Sequence, residues 1–216
     1  ADGISIGANA LALNSGTIRD AVGNNATLTH SAVSANASYK VDTTAPTAVW
    51  SAATDDAGSV TGSLTSGDST NDTALVLSGA NESGSNVNVY NGTTLLGAAT
   101  VSGTGWSYTA TVANGATYQF NVKETDAAGN TSAATSNFAV TGDTTAPTVS
   151  SVSISSASGV QNSLLNAGDV VSVTVTFSEN VTRTGSPQLT VNVGGTERAA
   201  TYTSGSGGTS LVFQYT

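Results

Sequence analysis

The chain has 216 residues, a formal net charge of −9 and no cysteine. The lack of cysteine excludes disulfides, thiolate metal sites and cysteine nucleophiles. The chain has 14 acidic and five basic residues. Its negative charge opposes binding to a phosphate backbone, so no nucleic-acid partner is expected. Because no run approaches about 18 consecutive apolar residues, the sequence predicts no membrane span in this segment.

Residues 1–41 contain three strand-like stretches, at 4–6, 10–13 and 26–29, and a turn-rich stretch at 16–24. They run directly into the sequence Asp-Thr-Thr-Ala-Pro at residues 42–46. We interpret them as the C-terminal part of a repeat that ends at this linker.

The module at residues 42–141 has the pattern of a complete all-β domain. Alternating apolar and polar residues predict strands at 74–77, 86–90, 94–97, 106–110, 118–122 and 137–140, with turn signals such as Asn-Gly between them. Short strands at this spacing, without helical periodicity, are typical of an antiparallel β-sandwich. Trp106, Tyr108 and Phe120 are its bulky core candidates.

Residues 142–216 contain about five predicted strands, at 149–154, 169–181, 188–193, 199–202 and 211–215. An immunoglobulin-like sandwich has roughly seven strands. We therefore interpret this segment as the N-terminal part of a repeat of the same type as residues 1–41. The two segments would then be the two ends of one kind of domain.

The linker itself is repeated. Asp-Thr-Thr-Ala-Pro at residues 42–46 returns at residues 143–147, an offset of 101 residues (143 − 42). That offset is the length of one immunoglobulin-sized sandwich. The sequence therefore predicts an all-β fold: tandem immunoglobulin-like antiparallel β-sandwiches in a linear array.

Three groups of motifs resemble known bacterial repeats. The two linkers and Glu-Thr-Asp-Ala-Ala-Gly-Asn-Thr-Ser at 124–132 resemble the bacterial immunoglobulin-like repeats of large secreted RTX and biofilm-associated adhesins. Val-Thr-Phe-Ser-Glu-Asn-Val at 175–181, with Gly-Thr-Ile-Arg-Asp-Ala-Val-Gly-Asn at 16–24, resembles a cadherin-like repeat class of the same proteins. The resemblance implies export, a bacterial cell-surface location, and in many members calcium at domain junctions.

Several acidic and amide side chains are candidate calcium ligands, because calcium prefers carboxylate and carbonyl oxygens. We expect the linker acids to join acids of their flanking domains around a calcium ion. The competing interpretation is that each residue only forms a turn. The candidates are Asp42, Asp143, Asp126, Asn130, Asp20, Asn24, Asp55, Asp56, Asp72, Asp169 and Glu179.

Catalytic chemistry has little support in the sequence. The single histidine, His30, has no plausible triad, and the glutamates, Glu124 among them, are expected at the surface of small sandwiches. We expect no enzyme but the stalk of a bacterial surface adhesin, stiffened by calcium and contacting neighbouring repeats. The alternatives are a self-assembling surface-layer or filament subunit completed by strand exchange between copies, and a module that binds glycans or cell surfaces.

Overall fold

A computed structural model describes residues 2–216 of the chain. The described residues form seventeen strands and no helix. The strands are β1 (Asp2–Ile6), β2 (Val33–Val41), β3 (Val49–Asp55), β4 (Gly62–Ser63), β5 (Ser69–Thr70), β6 (Ala74–Ala80), β7 (Asn86–Asn91), β8 (Thr94–Ala98), β9 (Thr100–Ser102), β10 (Gly105–Thr111), β11 (Thr117–Thr125), β12 (Phe138–Gly142), β13 (Val149–Ser158), β14 (Val170–Val181), β15 (Gln188–Val193), β16 (Thr196–Ser204) and β17 (Gly208–Tyr215).

Strands β3–β12 form a sandwich of two five-stranded sheets. One sheet has the order β4-β3-β6-β10-β9 and the other β5-β12-β11-β7-β8. All neighbours are antiparallel except the short pair β5–β12, which is parallel. The inward side chains of both sheets form one core, to which the residues at alternate positions of each strand contribute.

Aromatic side chains close one corner of this core. Trp106 is 3% exposed, Phe120 is fully buried and Tyr108 packs against the same core. The Trp106 ring meets the Trp50 ring edge to face at 5.8 Å between centroids, and Phe138 stacks on Trp50 at 5.2 Å. The three aromatic residues predicted for the core therefore lie in it or against it.

Residues 2–41 form a two-stranded antiparallel sheet, β1–β2, joined by a long loop. The strands predicted at 10–13 and 26–29 are wrong. Asn9, Asn14 and Ser15 have positive φ angles, which break extended backbone on both sides of residues 10–13. Residues 26–29 carry no strand, although the Ala26 N–H donates to Ile18 O at 2.8 Å.

Residues 145–216 form a single five-stranded antiparallel sheet with the order β13-β14-β17-β16-β15. Val173 and Val175 of β14 pair with Phe213 and Leu211 of β17, so these four side chains lie on one face. All four are at most 6% exposed. The two strands at the edges of the sheet are β13 and β15.

The contacts between residues divide the chain into two compact units, residues 1–144 and residues 145–216. The predicted all-β class with an antiparallel sandwich is confirmed. The tandem array and the two domain boundaries at 41/42 and 141/142 stay predictions. No helix among the described residues has the length and apolar character needed to cross a membrane.

Candidate functional site

Four of the predicted ligand residues meet at the end of the sandwich where β12 leads into the second linker. The hydroxyl of Thr70 donates to Asp55 Oδ2 at 2.6 Å, and the same hydroxyl accepts the Asp72 N–H at 3.0 Å. The Thr70 carbonyl accepts the N–H of Asp143 at 2.8 Å. The Asp56 N–H donates a long hydrogen bond to Asp72 Oδ2, with 3.5 Å between nitrogen and oxygen. We call Asp55, Thr70, Asp72 and Asp143 the Thr70 cluster.

Local turns place the two central carboxylates of the Thr70 cluster. Asp55 is the last residue of β3, and its Oδ1 accepts the Ala57 N–H at 2.9 Å. Asp72 precedes β6, and its Oδ1 accepts the Ala74 N–H at 2.7 Å. Both are Asx turns, for which aspartate is a preferred residue. Turns do not require burial, yet Asp55 is only 5% and Asp72 only 4% exposed.

The opposite end of the sandwich holds a second group of predicted ligands beside the first linker. Asp126 Oδ1 accepts the Asn130 N–H at 2.8 Å, and Oδ2 accepts Asn130 Nδ2 at 2.8 Å. The same Nδ2 donates to the carbonyl oxygen of Asp42 at 3.1 Å. The side-chain hydrogen bond from Asn130 is the main cause that lowers the pKa of Asp126. We call Asp42, Asp126 and Asn130 the Asn130 cluster.

The motif Asp-Ala-x-Gly-Asn closes on itself in the same way at residues 20–24. Asp20 Oδ2 accepts Asn24 Nδ2 at 2.8 Å and Oδ1 accepts the Asn24 N–H at 2.9 Å. The side-chain hydrogen bond from Asn24 again lowers the pKa of the carboxyl group. Both residues are exposed. The shared geometry accounts for the repeated motif as a turn.

The last two predicted ligands belong to residues 145–216. Asp169 Oδ2 accepts the Asn166 N–H at 2.6 Å, which makes another local turn. Glu179 is half-buried on β14. They therefore lie in a different unit from the Thr70 and Asn130 clusters.

The Thr70 cluster contains carboxylate and carbonyl oxygens, the atom types that calcium prefers as ligands. Calcium takes six to eight oxygen ligands, including carbonyl oxygens and water. Each carboxylate oxygen of Asp55 and Asp72 accepts one N–H or O–H group, and a carboxylate oxygen has a second lone pair that could bind a cation. Across residues 2–216, no three His, Cys, Asp or Glu side chains are grouped as they would be around a metal ion. Carbonyl oxygens and water would have to supply the other ligands.

One glutamate contradicts the expectation that glutamates lie on the surface. Glu124 is fully buried, and its Oε1 accepts the Glu82 N–H at 2.6 Å and the Ser85 hydroxyl at 2.5 Å. Its Oε2, like the buried Asn81 Oδ1, has no hydrogen-bond partner among the described residues. The sequence contains the signal for burial, because Phe120, Val122 and Glu124 alternate on the inward face of β11.

Comparison with known proteins identifies the sandwich. Residues 43–144 match the family model of the bacterial Ig-like domain. The chain has no match among the curated proteins or among the solved structures. The matched residues begin and end at the two repeated linkers and include all ten strands of the sandwich. Residues 43–144 form a bacterial Ig-like domain.

Proposed function

We propose that this chain is a non-enzymatic spacer segment of a bacterial cell-surface adhesin, held outside the cell. Three observations support the proposal: the bacterial Ig-like domain, the linker repeated after 101 residues, and a composition with few charged residues. Domains that contact only their neighbours extend a chain by repetition. The proposed role is mechanical, because such a spacer sets the distance between the parts of the protein that it joins.

The observation that carries the proposal is the way the domain holds the start of its second linker. The Thr70 carbonyl accepts the Asp143 N–H at 2.8 Å, and Asn114 Oδ1 accepts the Thr144 N–H at 2.8 Å. The Gly142 carbonyl also accepts the Gly115 N–H at 2.7 Å. Gly142 at the end of β12 and the first two linker residues, Asp143 and Thr144, are therefore bonded to the body of the domain. Pro147 then fixes one more backbone angle.

We propose that calcium stabilises this arrangement at the Thr70 cluster. A bound calcium ion would supply positive charge to two carboxylates that are nearly buried. Thr70 positions both carboxylates through its hydroxyl and the linker through its carbonyl. Neutralising the carboxylates therefore stabilises the strand end that also holds Asp143. The Asn130 cluster, which bonds the first linker, is a second candidate position.

A calcium titration of the chelator-treated chain tests the proposal. Both tryptophans, Trp50 and Trp106, belong to the Ig-like domain, so fluorescence-detected melting reports on this domain alone. Calcium at about 100 times its dissociation constant stabilises a folded protein by about 2.7 kcal/mol. For a domain of this size, that corresponds to a melting temperature about 10 °C higher or more.

Two variants locate the effect. In Asp72→Asn the calcium-dependent rise should fall to less than half, because one buried carboxylate is gone. Glu197→Gln removes the same charge from exposed β16 and should leave the rise unchanged. Small-angle scattering of the same samples measures whether calcium stiffens the chain. If calcium leaves the melting temperature unchanged, the proposed calcium binding is refuted. If calcium leaves the scattering unchanged, the proposed stiffening of the chain is refuted.

A further inference from the structure

The sheet of residues 145–216 has an apolar face that is covered unevenly. Val152 and Ile154 of β13 pair with Val175 and Val173 of β14 and so lie on the same face as them. Val173 and Val175 are buried, whereas Val152 is 55% and Ile154 74% exposed. We call the exposed part of this face, formed by Val152 and Ile154 of β13, the open half of the apolar face.

A groove of 680 Å³ begins at Ile154 of the open half and continues across the same sheet. Its walls include apolar side chains from four strands of the sheet and from the loop before β14: Ile154, Leu165, Val171, Val191, Val193 and Tyr215. A groove of this size has room for several side chains.

The edge strand β13 lacks the charges and prolines that commonly protect an exposed edge, although two register shifts interrupt its pairing with β14. Natural edge strands carry charges, prolines or marked irregularities that prevent pairing with another chain. The ten residues of β13 include neither a charged residue nor a proline. All ten are exposed. An exposed strand of this kind, next to exposed apolar side chains, is a surface on which another protein segment can pack.

Residues 3–41 also lack a partner for their apolar side chains. None of these residues is buried. Their apolar side chains are exposed instead, among them Ile4 at 56%, Ile6 at 49%, Leu11 at 51% and Val33 at 54%. A two-stranded sheet without a core is at best marginally stable in water. This segment therefore also requires an apolar partner.

The charge distribution allows the two segments to meet. Residues 1–41 have two acidic and two basic residues, and residues 145–216 have three and two, which gives net charges of 0 and −1. Residues 42–144 have nine acidic residues and one basic residue, a net charge of −8. The Ig-like domain thus repels a second copy of itself, whereas the two ends do not repel each other.

The linkers indicate which segment follows which. Residues 1–41 precede one copy of Asp-Thr-Thr-Ala-Pro, and residues 145–216 contain and follow the end of the other. One segment is thus placed as the end of a repeat and the other as the start of a repeat. Joined, they provide the seven strands β1, β2 and β13–β17, the number in an immunoglobulin-like sandwich.

We infer that residues 3–41 of one copy pack on the open half of the apolar face of a second copy. The contact is heterologous, because it joins two different surfaces, and it therefore produces chains or closed rings of copies. It is independent of the proposed calcium binding, and its test is carried out in chelator.

The first measurement is the mass of the full chain from micromolar to millimolar concentration, by sedimentation and light scattering. Growth from monomer to dimer and larger species is expected. Ile154→Asp should weaken this association about 10- to 100-fold, since one buried apolar side chain contributes roughly 1.5–3 kcal/mol. Ser153→Asp, next to it on the opposite face of β13, is the matched control and should associate like the parent. Because Ile154 is exposed, its variant should keep the parent circular dichroism spectrum.

A mixing experiment gives the decisive result. Ile6→Asp should abolish the donor segment and leave the acceptor face intact, while Ile154→Asp does the reverse. At concentrations where each variant alone is still a monomer, an equimolar mixture should form dimers that do not grow further. A parent chain that stays monomeric throughout, whether because its own residues 3–41 cover the face or because nothing does, would overturn the inference. Association that both variants retain would overturn it as well.

Discussion

Gly79, the last residue but one of β6, should be costly to replace, because two tryptophans meet across it. Gly79 pairs with Trp50 of β3 on one side and with Trp106 of β10 on the other. An added Cβ would lie 2.6 Å from Trp106 Nε1 and still closer to the carbonyl oxygen of Val49. Those are the two atoms that form the 3.0 Å hydrogen bond of the Trp106 indole. Gly79→Ala must therefore push β3 and the indole apart.

The size of the effect follows from three contributions. Leaving the buried indole N–H unpaired costs about 1–3 kcal/mol, and overpacking costs about 1–3 kcal/mol more. The lower entropy of the unfolded chain with alanine returns roughly 0.4–1 kcal/mol. A net loss of about 3 kcal/mol is expected. In a domain of about 100 residues, this lowers the melting temperature by about 10–20 °C.

Urea and thermal unfolding, followed by tryptophan fluorescence, measure this loss at the site itself. The matched control is Gly105→Ala in the adjacent strand β10, where the nearest atoms to an added Cβ are 3.8 Å away. It should change the free energy of unfolding by less than about 1 kcal/mol. If Gly79→Ala is as stable as Gly105→Ala, the packing argument for this corner is refuted.

The remaining predictions concern carboxyl groups. Glu124→Ala should lower the free energy of unfolding by about 3 kcal/mol, because Ser85 and the Glu82 N–H lose a buried acceptor. Glu124→Gln keeps an acceptor oxygen and adds donors, so its loss in urea unfolding should be less than half as large. For Asp126, whose pKa is lowered in the folded state, the stabilisation is complete above the unfolded value near ~3.9 and is lost as the pH falls through the folded pKa. Asp126→Asn should thus flatten the decline of melting temperature below about pH 4; an unchanged acid limb would contradict the assignment.

The predictable part of the fold is the part with strong alternation of large apolar residues. Leu75 and Leu77, or Val87 and Val89, point inward at every second position and are fully or almost fully buried. Strand β3 was not predicted, because Ala53 is its one fully buried apolar residue and alanine gives a weak signal. The strand predicted at residues 10–13 is absent because alternating residues form a strand only where a neighbouring strand pairs with them.

The candidate site was predictable in its position but not in its composition. Acidic residues beside the linkers indicated the two ends of the sandwich, and both clusters lie there. The role of Thr70 depends on the parallel pairing of β5 with β12, which joins residues about 70 positions apart. No local pattern contains that register. The burial of Glu124 could have been predicted from its alternation with Phe120 and Val122, but its contact with Ser85 could not.

The two interpretations of the aspartates, turn former and cation ligand, are separated by burial rather than by hydrogen bonding. Asp20, Asp126, Asp55 and Asp72 all accept local N–H groups, and such turns form equally well in water. Exposed Asp20 needs no explanation beyond its turn. Asp55 and Asp72 are different, because removing two carboxylates from water is costly unless a positive charge or several donors compensate. The Thr70 hydroxyl has one proton, which it donates to Asp55. Among the predicted ligands, the carboxylates beside Asp143 are therefore the ones that a cation would stabilise most, and there its removal would loosen the linker first.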